Sequence, residues 1–461
     1  MNSLQEAAGL YQQGRTSEAQ TVCESILLET PDNAGVLHLL GFIVYQSGEA
    51  ARGAALIGKA VAIKPGDALM QSNLAAALMD SGAYAHAVRA ADAAIALNPQ
   101  FARAHANRAA AIRNWAKALK NDAAAALNID DLSAAHDNLA AALRITPEDA
   151  DVRVSLGILQ LQRGAYAEGF ANYERRWDSG ALNLPQRGFV PPQWTGEDLS
   201  GKTILLHNEQ GFGDALQFSR YAPLVAARGA TVILEVSKAL VPLLTQIQGV
   251  AAVIARGEEL PRLDFPHLDF QCPLLSLPFA FKTTLADIPP PVRLAADPVK
   301  IAAWAARLGA KTRPRIGVTW SGNANQANDA NRSIVLQEFC AALPPGFDYV
   351  SLQKDVRDSD LDVLRARADI RHFGGELTDF SDSAALCALT DFVITVCTST
   401  THLAGAMGKE SAVLLCFNPC WRWLTTRSDS PWYPDVTLYR QNQPGDWTGA
   451  LRRVHAAVNQ R

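Results

Sequence analysis

Two hydrophobic patterns divide this chain. Through residues 1–180, apolar and alanine positions recur at helical spacing, and Pro31, Pro65 and Pro99 close successive Ala-rich amphipathic segments at steps of 34 residues. In the same register Gly41 and Ala75 share one small-residue position, with Ala8 one place out of step, and Ala60 and Ala94 share another, as a close crossing of two helices requires. Pro147 follows Pro99 by 48 residues, one period plus 14. Fourteen residues is close to four turns at about 3.6 residues each. The fourth unit therefore has either longer helices in unbroken register or an inserted loop around residues 112–125. A fifth, partial unit places Gly157 at the small-residue position and ends near Tyr-Glu-Arg-Arg-Trp at 173–177, a segment predicted to cap the array and meet the next domain.

Pro and Gly break the helical period between Leu182 and Lys202, which marks a linker over residues 181–201. Beyond it the period changes. Short apolar runs at 203–207, 231–236 and 250–254 alternate with helical patterns. A Pro-rich crossover at 272–294 follows, and then a second series at 315–319, 348–352, 392–396 and 412–416. This alternation predicts parallel sheets covered by helices, in two halves at 202–295 and 296–461, with ligands at the carboxyl ends of the strands.

The 34-residue period closed by proline resembles the tetratricopeptide repeat, which implies an α-solenoid over residues 1–180. Such a solenoid binds an extended partner on its concave face, or else only scaffolds or oligomerises the rest of the chain. Asn73, Asn107 and Asn138 are candidates for contacts to a peptide backbone, because an amide side chain both donates and accepts.

A length of 461 residues requires more than one core. The formal charge of −4 excludes nucleic-acid binding driven by bulk charge. The seven cysteines contain no CxxC pair, which favours reduced thiols over a disulfide framework or a zinc site. Residues 1–15 lack an apolar signal core and residues 36–45 are too short to span a bilayer, so no transmembrane segment and a cytoplasmic location are expected.

Three stretches carry candidate chemistry. After the run at 203–207, Gly211 and Gly213 flank a turn into a helical pattern, and they let the backbone approach a ligand closely or take positive φ. Asp214 falls where a helix cap or first-turn residue belongs, so its carboxylate either acts as a base or caps. In the second half, Thr398, Ser399, Thr400, Thr401 and His402 follow a strand and open a helix. Hydroxyls, backbone N–H groups and the positive helix end suit a phosphate or diphosphate, and the plain alternative is a Ser/Thr cap beside a packed histidine. The polar loop 320–333 offers Ser321 and Asn323 as donors and Arg332 as a positive fork, while Gln353 and Lys354 end another strand where a base or ribose could be read. Four of the nine tryptophans lie in 421–447 and are read mainly as core. No Asp-x-Asp stands out as a metal site.

Together the Gly-Phe-Gly-Asp of 211–214, the Arg-Ser-x-x-Leu at 332–336 and the Thr-x-x-x-His-Leu-Ala-Gly-Ala-Met-Gly-Lys run of 398–409 resemble heptosyltransferase-like sugar transferases of the glycosyltransferase B fold. With the repeats ahead of it, the chain looks like bacterial proteins that join such repeats to a transferase domain, some of which glycosylate flagellin or other proteins. The resemblance implies two Rossmann-like halves, with the acceptor on the first and a nucleotide-sugar co-substrate on the second, and no further cofactor. It also implies Asp214 as general base, and Arg332, Thr398 and His402 near the donor phosphates. Cys397 departs from the pattern, which has an aspartate before the threonine, and this puts a heptose donor in doubt. The implied activity is metal-independent transfer of a sugar to a protein Ser/Thr hydroxyl. A transferase acting on a lipid-linked or surface glycan, and an adaptor or chaperone with an inactive transferase-like domain, remain open readings.

Overall fold

The computed structural model describes residues 3–128, 132–182, 184–257, 267–326 and 328–461. It divides into two compact units, Met1–Val152 and Arg153–Arg461.

The first unit is a helical array: α1 (Leu4–Gln12), α2 (Thr16–Glu29), α3 (Ala34–Gln46), α4 (Ala50–Ile63), α5 (Ala68–Asp80), α6 (Tyr84–Leu97), α7 (Ala102–Asn128) and α8 (Leu132–Ile145). Asn33 and Asp67 start α3 and α5 by accepting backbone N–H bonds from Val36 and from Leu69 and Met70, satisfying donors that a helix start leaves free. Within a pair the chain turns through a glycine at positive φ, as at Gly48 (96°) and Gly82 (82°). The small-residue register has a direct cause where α3 crosses α4. A methyl group on Gly41 would lie 2.9 Å from the Ile57 backbone nitrogen, and one on Gly53 would lie 2.8 Å from the Gly41 carbonyl oxygen.

The fourth unit lengthens a helix and inserts no loop. Helix α7 runs 27 residues where α3 and α5 each run 13, an excess of 14 that keeps the register. The asparagines tie successive repeats together. The Asn73 amide nitrogen donates to His38 Nε2 at 2.9 Å, and that of Asn107 donates to the Ser72 carbonyl oxygen at 2.9 Å, each partner lying 35 residues earlier. Asn138 is half-buried on α8, the second helix of its pair, whereas Asn73 and Asn107 lie on first helices.

The boundary between the units falls inside α9 (Ala150–Gln162). Helix α10 (Tyr166–Tyr173) and the 3-10 turn Glu174–Trp177, read from sequence as the end of the 1–180 solenoid, belong to the second unit. Trp432 Nε1 donates to the Tyr166 hydroxyl at 3.1 Å, and Phe170 meets Trp421 edge-on at 5.6 Å. Gly157 lets α9 pack against α10, since a methyl group there would lie 2.9 Å from the Gly169 carbonyl oxygen.

The rest of this unit is α/β. Its strands are β1 (Thr203–His207), β2 (Thr231–Val236), β3 (Val250–Ala255), β4 (Phe270–Pro273), β5 (Arg315–Thr319), β6 (Asp348–Ser351), β7 (Ile370–Arg371), β8 (Phe392–Val396), β9 (Ser411–Leu415) and β10 (Val436–Arg440). Among the described residues they form two parallel sheets, ordered β3-β2-β1-β4 and β10-β9-β8-β5-β6-β7. Counted within its own half, the second sheet runs 6-5-4-1-2-3, which is the Rossmann order, and the first is its 3-2-1-4 portion. Every residue of β5, β8 and β9 is buried, which is why these strands read as continuous apolar runs. Strand β4 opens what reads in sequence as a crossover, and β7 and β10 extend the second sheet beyond the strands expected.

The tryptophans of the carboxyl-terminal region are core. Trp421, Trp423, Trp432 and Trp447 are all under 7 % exposed. The first three belong to one cluster that also contains Phe170 of α10, Phe218, and Leu206 of β1, so a single core joins both halves.

Candidate active site

In a Rossmann sheet, ligands sit beyond the carboxyl ends of the strands where the strand order reverses. In the second half that point lies between β5 and β8, which pair directly. The predicted loops meet there. Arg332, from the loop after β5, donates through Nη1 to the Cys397 carbonyl oxygen at 3.1 Å, immediately before Thr398. Its Nε faces Asp329 at 3.3 Å, and its guanidinium lies across Gly322, where any Cβ would fall 2.5 Å from Nη2. Asp329 also pairs with Arg357 and accepts from the Ser333 hydroxyl, so the arginine fork is held at a fixed orientation.

Thr398 is the N-cap of the helix Ser399–Ala406, with extended backbone. Its Oγ1 is buried without a hydrogen-bond partner, while its N–H faces Thr401 Oγ1 at 3.5 Å. Ser399 and Thr400 form the first turn. His402 is buried, with Nδ1 3.0 Å from the Tyr433 hydroxyl and its ring stacked on Trp423 at 5.7 Å. Burial first, then the charges of Arg422 and Arg220, hold its pKa well below the ordinary imidazole value, so it is a neutral ring at physiological pH.

Ser321 and Gln353 are bonded to each other. Gln353 Oε1 accepts the N–H groups of Trp320 and Ser321, and its Nε2 donates to Ser321 Oγ at 2.8 Å and to the Asp355 carbonyl oxygen at 2.7 Å. Every hydrogen-bonding position of that amide is engaged, so Gln353 holds the β5 loop. Asn323 and Lys354 are exposed; Asn323 accepts from the Asn325 N–H at 3.0 Å.

The motif after β1 opens α11 (Phe212–Phe218). Neither Gly211, at φ −77°, nor Gly213 takes positive φ. Gly213 instead permits contact between the halves, since a methyl group there would lie 2.7 Å from His402 Cδ2 and 3.5 Å from Ser399 Cα. The first turns of two helices, one from each half, therefore touch. Asp214, in the first turn, caps α11 by accepting the Gly211 N–H through Oδ2 at 2.9 Å. Its Oδ1 pairs with Arg422 Nη2 at 2.5 Å. Arg422 also donates through Nε to Gln217 Oε1 and through Nη1 to Cys420 Sγ at 3.2 Å. Sequence reasoning missed Arg422, which lies between two tryptophans read as core.

The corresponding reversal point of the first half lies between β1 and β4 and is filled by the chain itself. Arg176, fully buried, donates to Glu209 after β1 at 3.0 Å, to Ser276 after β4 at 2.6 Å and to Glu174 at 2.7 Å. The Tyr-Glu-Arg-Arg-Trp segment thus supplies the cation to one reversal point, while the other presents Arg332 and a helix start. Among the described residues, no group of three or more His, Cys, Asp or Glu side chains is placed to hold a metal ion, and no helix is long and apolar enough to cross a membrane.

Fold and site define a tetratricopeptide solenoid followed by a domain of two Rossmann-like halves, the layout of glycosyltransferase B folds. Residues 10–78 match the tetratricopeptide repeat family. Protein FlbA of Caulobacter vibrioides is 28% identical over 374 residues, which are 75% of this chain and 61% of FlbA, so the chain spans about three fifths of that relative's length. Among solved structures, ADP-heptose lps heptosyltransferase II of E. coli overlays 56% of this chain and 98% of its own at 15% identity and TM-score 0.41. A tetratricopeptide-repeat protein of Thermus thermophilus overlays 39% of this chain and 91% of its own at 21% identity and TM-score 0.22.

Proposed function

We propose that the chain is a metal-independent glycosyltransferase that moves a sugar from a nucleotide-sugar donor to a Ser/Thr hydroxyl of an acceptor protein, flagellin being the first to test, with the solenoid binding that protein. The observation that carries this reading is the meeting of an anion-suited reversal point in the second half with Asp214 of the first, through the contact of Gly213 with Ser399 and His402. The donor diphosphate would lie against Arg332 and the start of the helix Ser399–Ala406, with Thr398 Oγ1 available as a further partner. As the acceptor oxygen attacks the anomeric carbon, Asp214 would take its proton and the nucleoside diphosphate would leave with the electron pair. Each Asp214 oxygen has one bond in the structure, which leaves a second lone pair for the hydroxyl. Arg332 and the helix end would stabilise the charge on the leaving phosphate.

The test is the intact mass of proteins from the native cell with and without this chain, flagellin first, followed by transfer with purified protein and a panel of nucleotide sugars. A sugar-sized mass difference on one protein, restored by the purified chain, is expected. Asp214→Asn retains an oxygen for the Gly211 N–H but removes the base, so transfer should fall about 100-fold or more with donor binding kept. Undiminished transfer by that variant would sink the base role. A change confined to a surface glycan would reassign the acceptor, and no change in either would leave the adaptor reading.

A further inference from the structure

Asp214, to which the proposed transfer assigns the acceptor proton, belongs to the first half, but one of its two partners comes from the second. Arg422 lies in the 3-10 turn Trp421–Trp423, in the loop after β9, and meets Asp214 Oδ1 through Nη2 at 2.5 Å. The guanidinium is fixed on its edges and on its face. Nε donates to Gln217 Oε1 at 2.5 Å and Nη1 to Cys420 Sγ at 3.2 Å, while the guanidinium carbon lies over the Trp421 ring, 4.4 Å from its centre, and 5.5 Å from the centre of the Phe218 ring. Gln217, about one turn along α11 from Asp214, is fully buried, and its Nε2 has no hydrogen-bond partner. An amide left half-satisfied in the core lowers stability, so what it supplies there is the grip of Oε1 on Arg422.

We infer that Arg422 is a positioning residue of the transfer: it holds the Asp214 carboxylate in the rotation that presents its free lone pair to the acceptor hydroxyl. The inference rests on the proposed base role of Asp214. A helix cap needs one carboxylate oxygen, and Oδ2 already serves the Gly211 N–H, so the pair with Arg422 exceeds what capping requires. Arg422 acts through that carboxylate and not on substrate, because its side chain is 9% exposed against 19% for Asp214 and all three of its nitrogens are engaged. The base is thus oriented only while the loop after β9 is seated on α11, which makes its competence depend on both halves. Lysine does not replace the fork, since an ammonium is a point charge with no planar array of donors.

The experiment is a double-mutant cycle on the full chain, with UDP-, GDP-, ADP- and dTDP-linked sugars as donors and the protein whose mass changes in the native cell as acceptor. Arg422→Ala should lower kcat about 100-fold, the scale of a misplaced reacting group, with the KM for the donor changed less than about threefold. Guanidinium chloride, far below its unfolding range, should restore part of that kcat by entering the space beside Trp421 and Phe218, and sodium chloride at equal concentration should not. Added to Asp214→Asn, Arg422→Ala should lower kcat by no more than about threefold further, since removing either member already removes the shared effect. A scaffold role for Arg422 would instead multiply the two losses. Arg422→Lys, which keeps a cation against the same rings, should fall at least about tenfold and carries the same cycle if the alanine variant does not fold. Full activity of a folded Arg422 variant, a loss in KM alone, or losses that multiply in the cycle would overturn the inference while leaving the transfer standing. Undiminished transfer by Asp214→Asn, or no turnover of any donor by the wild type, would instead remove the base role on which it rests.

Discussion

Gly211 and Gly213 look alike in the sequence, but the structure sets opposite costs for adding a methyl group to them. At Gly213, Ala would place Cβ 2.7 Å from His402 Cδ2, inside the closest approach real Cβ atoms make. His402 has little room to yield, since its ring is bonded to Tyr433 and stacked on Trp423. Either the ring turns, losing that bond at about 0.5–1.5 kcal/mol, or α11 lifts off its neighbour. Overpacking of this kind costs roughly 1–3 kcal/mol, offset by at most about 0.5–1 kcal/mol from replacing Gly in a helix. At Gly211 the nearest atom is Asp214 Oδ2 at 3.3 Å, and a φ of −77° suits any residue. There the lost N-cap preference and the gain from a stiffer unfolded chain nearly cancel, to within about 0.5 kcal/mol. Urea unfolding followed by tryptophan fluorescence reads the second unit, because eight of the nine tryptophans, all but Trp115, lie in it. Gly213→Ala should lower the midpoint clearly and Gly211→Ala hardly at all. Equal behaviour of the two variants would refute the helix contact as described.

Arg176→Met should cost the second unit about 3–5 kcal/mol in the same assay, because Glu209 would remain buried without its cation, and adding Glu209→Gln should recover part of the loss. Burial, against the pull of Arg176, raises the Glu209 carboxyl from 4.5 to about 6. A raised carboxyl binds its proton more tightly when folded, so its contribution is full below 4.5 and is lost as pH rises through about 6. From pH 4.5 to 6 the wild type should therefore lose roughly 1 kcal/mol more stability than Glu209→Gln, read from urea midpoints across that range. In the first unit, Asn107→Ala should cost about 1 kcal/mol through the lost bonds to Ser72, read by far-ultraviolet circular dichroism of that unit's unfolding.

The fold was legible where burial is uniform. Strands covered on both faces by helices need continuous apolar runs, so β1, β2, β5 and β8 appear in sequence with the same ends as in the structure. The strands that escaped lack that signal for separate reasons. Strand β7 has only two residues, too few for any pattern, and β4 ends in Pro273 at the head of a Pro-rich stretch. Strand β10 buries Val436 and Leu438 but exposes Thr437, a short alternation set beside the tryptophan-rich segment. The repeat showed in sequence because its period is imposed by backbone contact. Gly41 and Gly53 permit no larger side chain, and an added 14 residues keep the register only as whole turns of α7.

The site was legible in its loops and not in their partners. Strand-loop-helix order and hydroxyl or glycine content locate 211–214 and 398–402, because local geometry demands those residue types. What each side chain bonds to depends on chain segments far away: Asp214 pairs with Arg422 208 positions later, and Arg176 reaches Ser276 across 100. A glycine expected to free the backbone proves to be a contact point between halves for the same reason, since only the packed structure brings His402 beside it. Arg176 and Arg332 make the comparison sharpest. Both are arginines at the reversal point of a parallel sheet, yet Arg176 is fully buried among Glu174, Glu209 and Ser276, while the Arg332 side chain keeps 19% exposure beside an unpartnered Thr398 hydroxyl. Two carboxylates already balance the Arg176 charge, whereas Arg332 is held against a single aspartate and a carbonyl. That difference in partners, more than any motif, supports the proposal of a donor on the second half with Asp214 presented by the first.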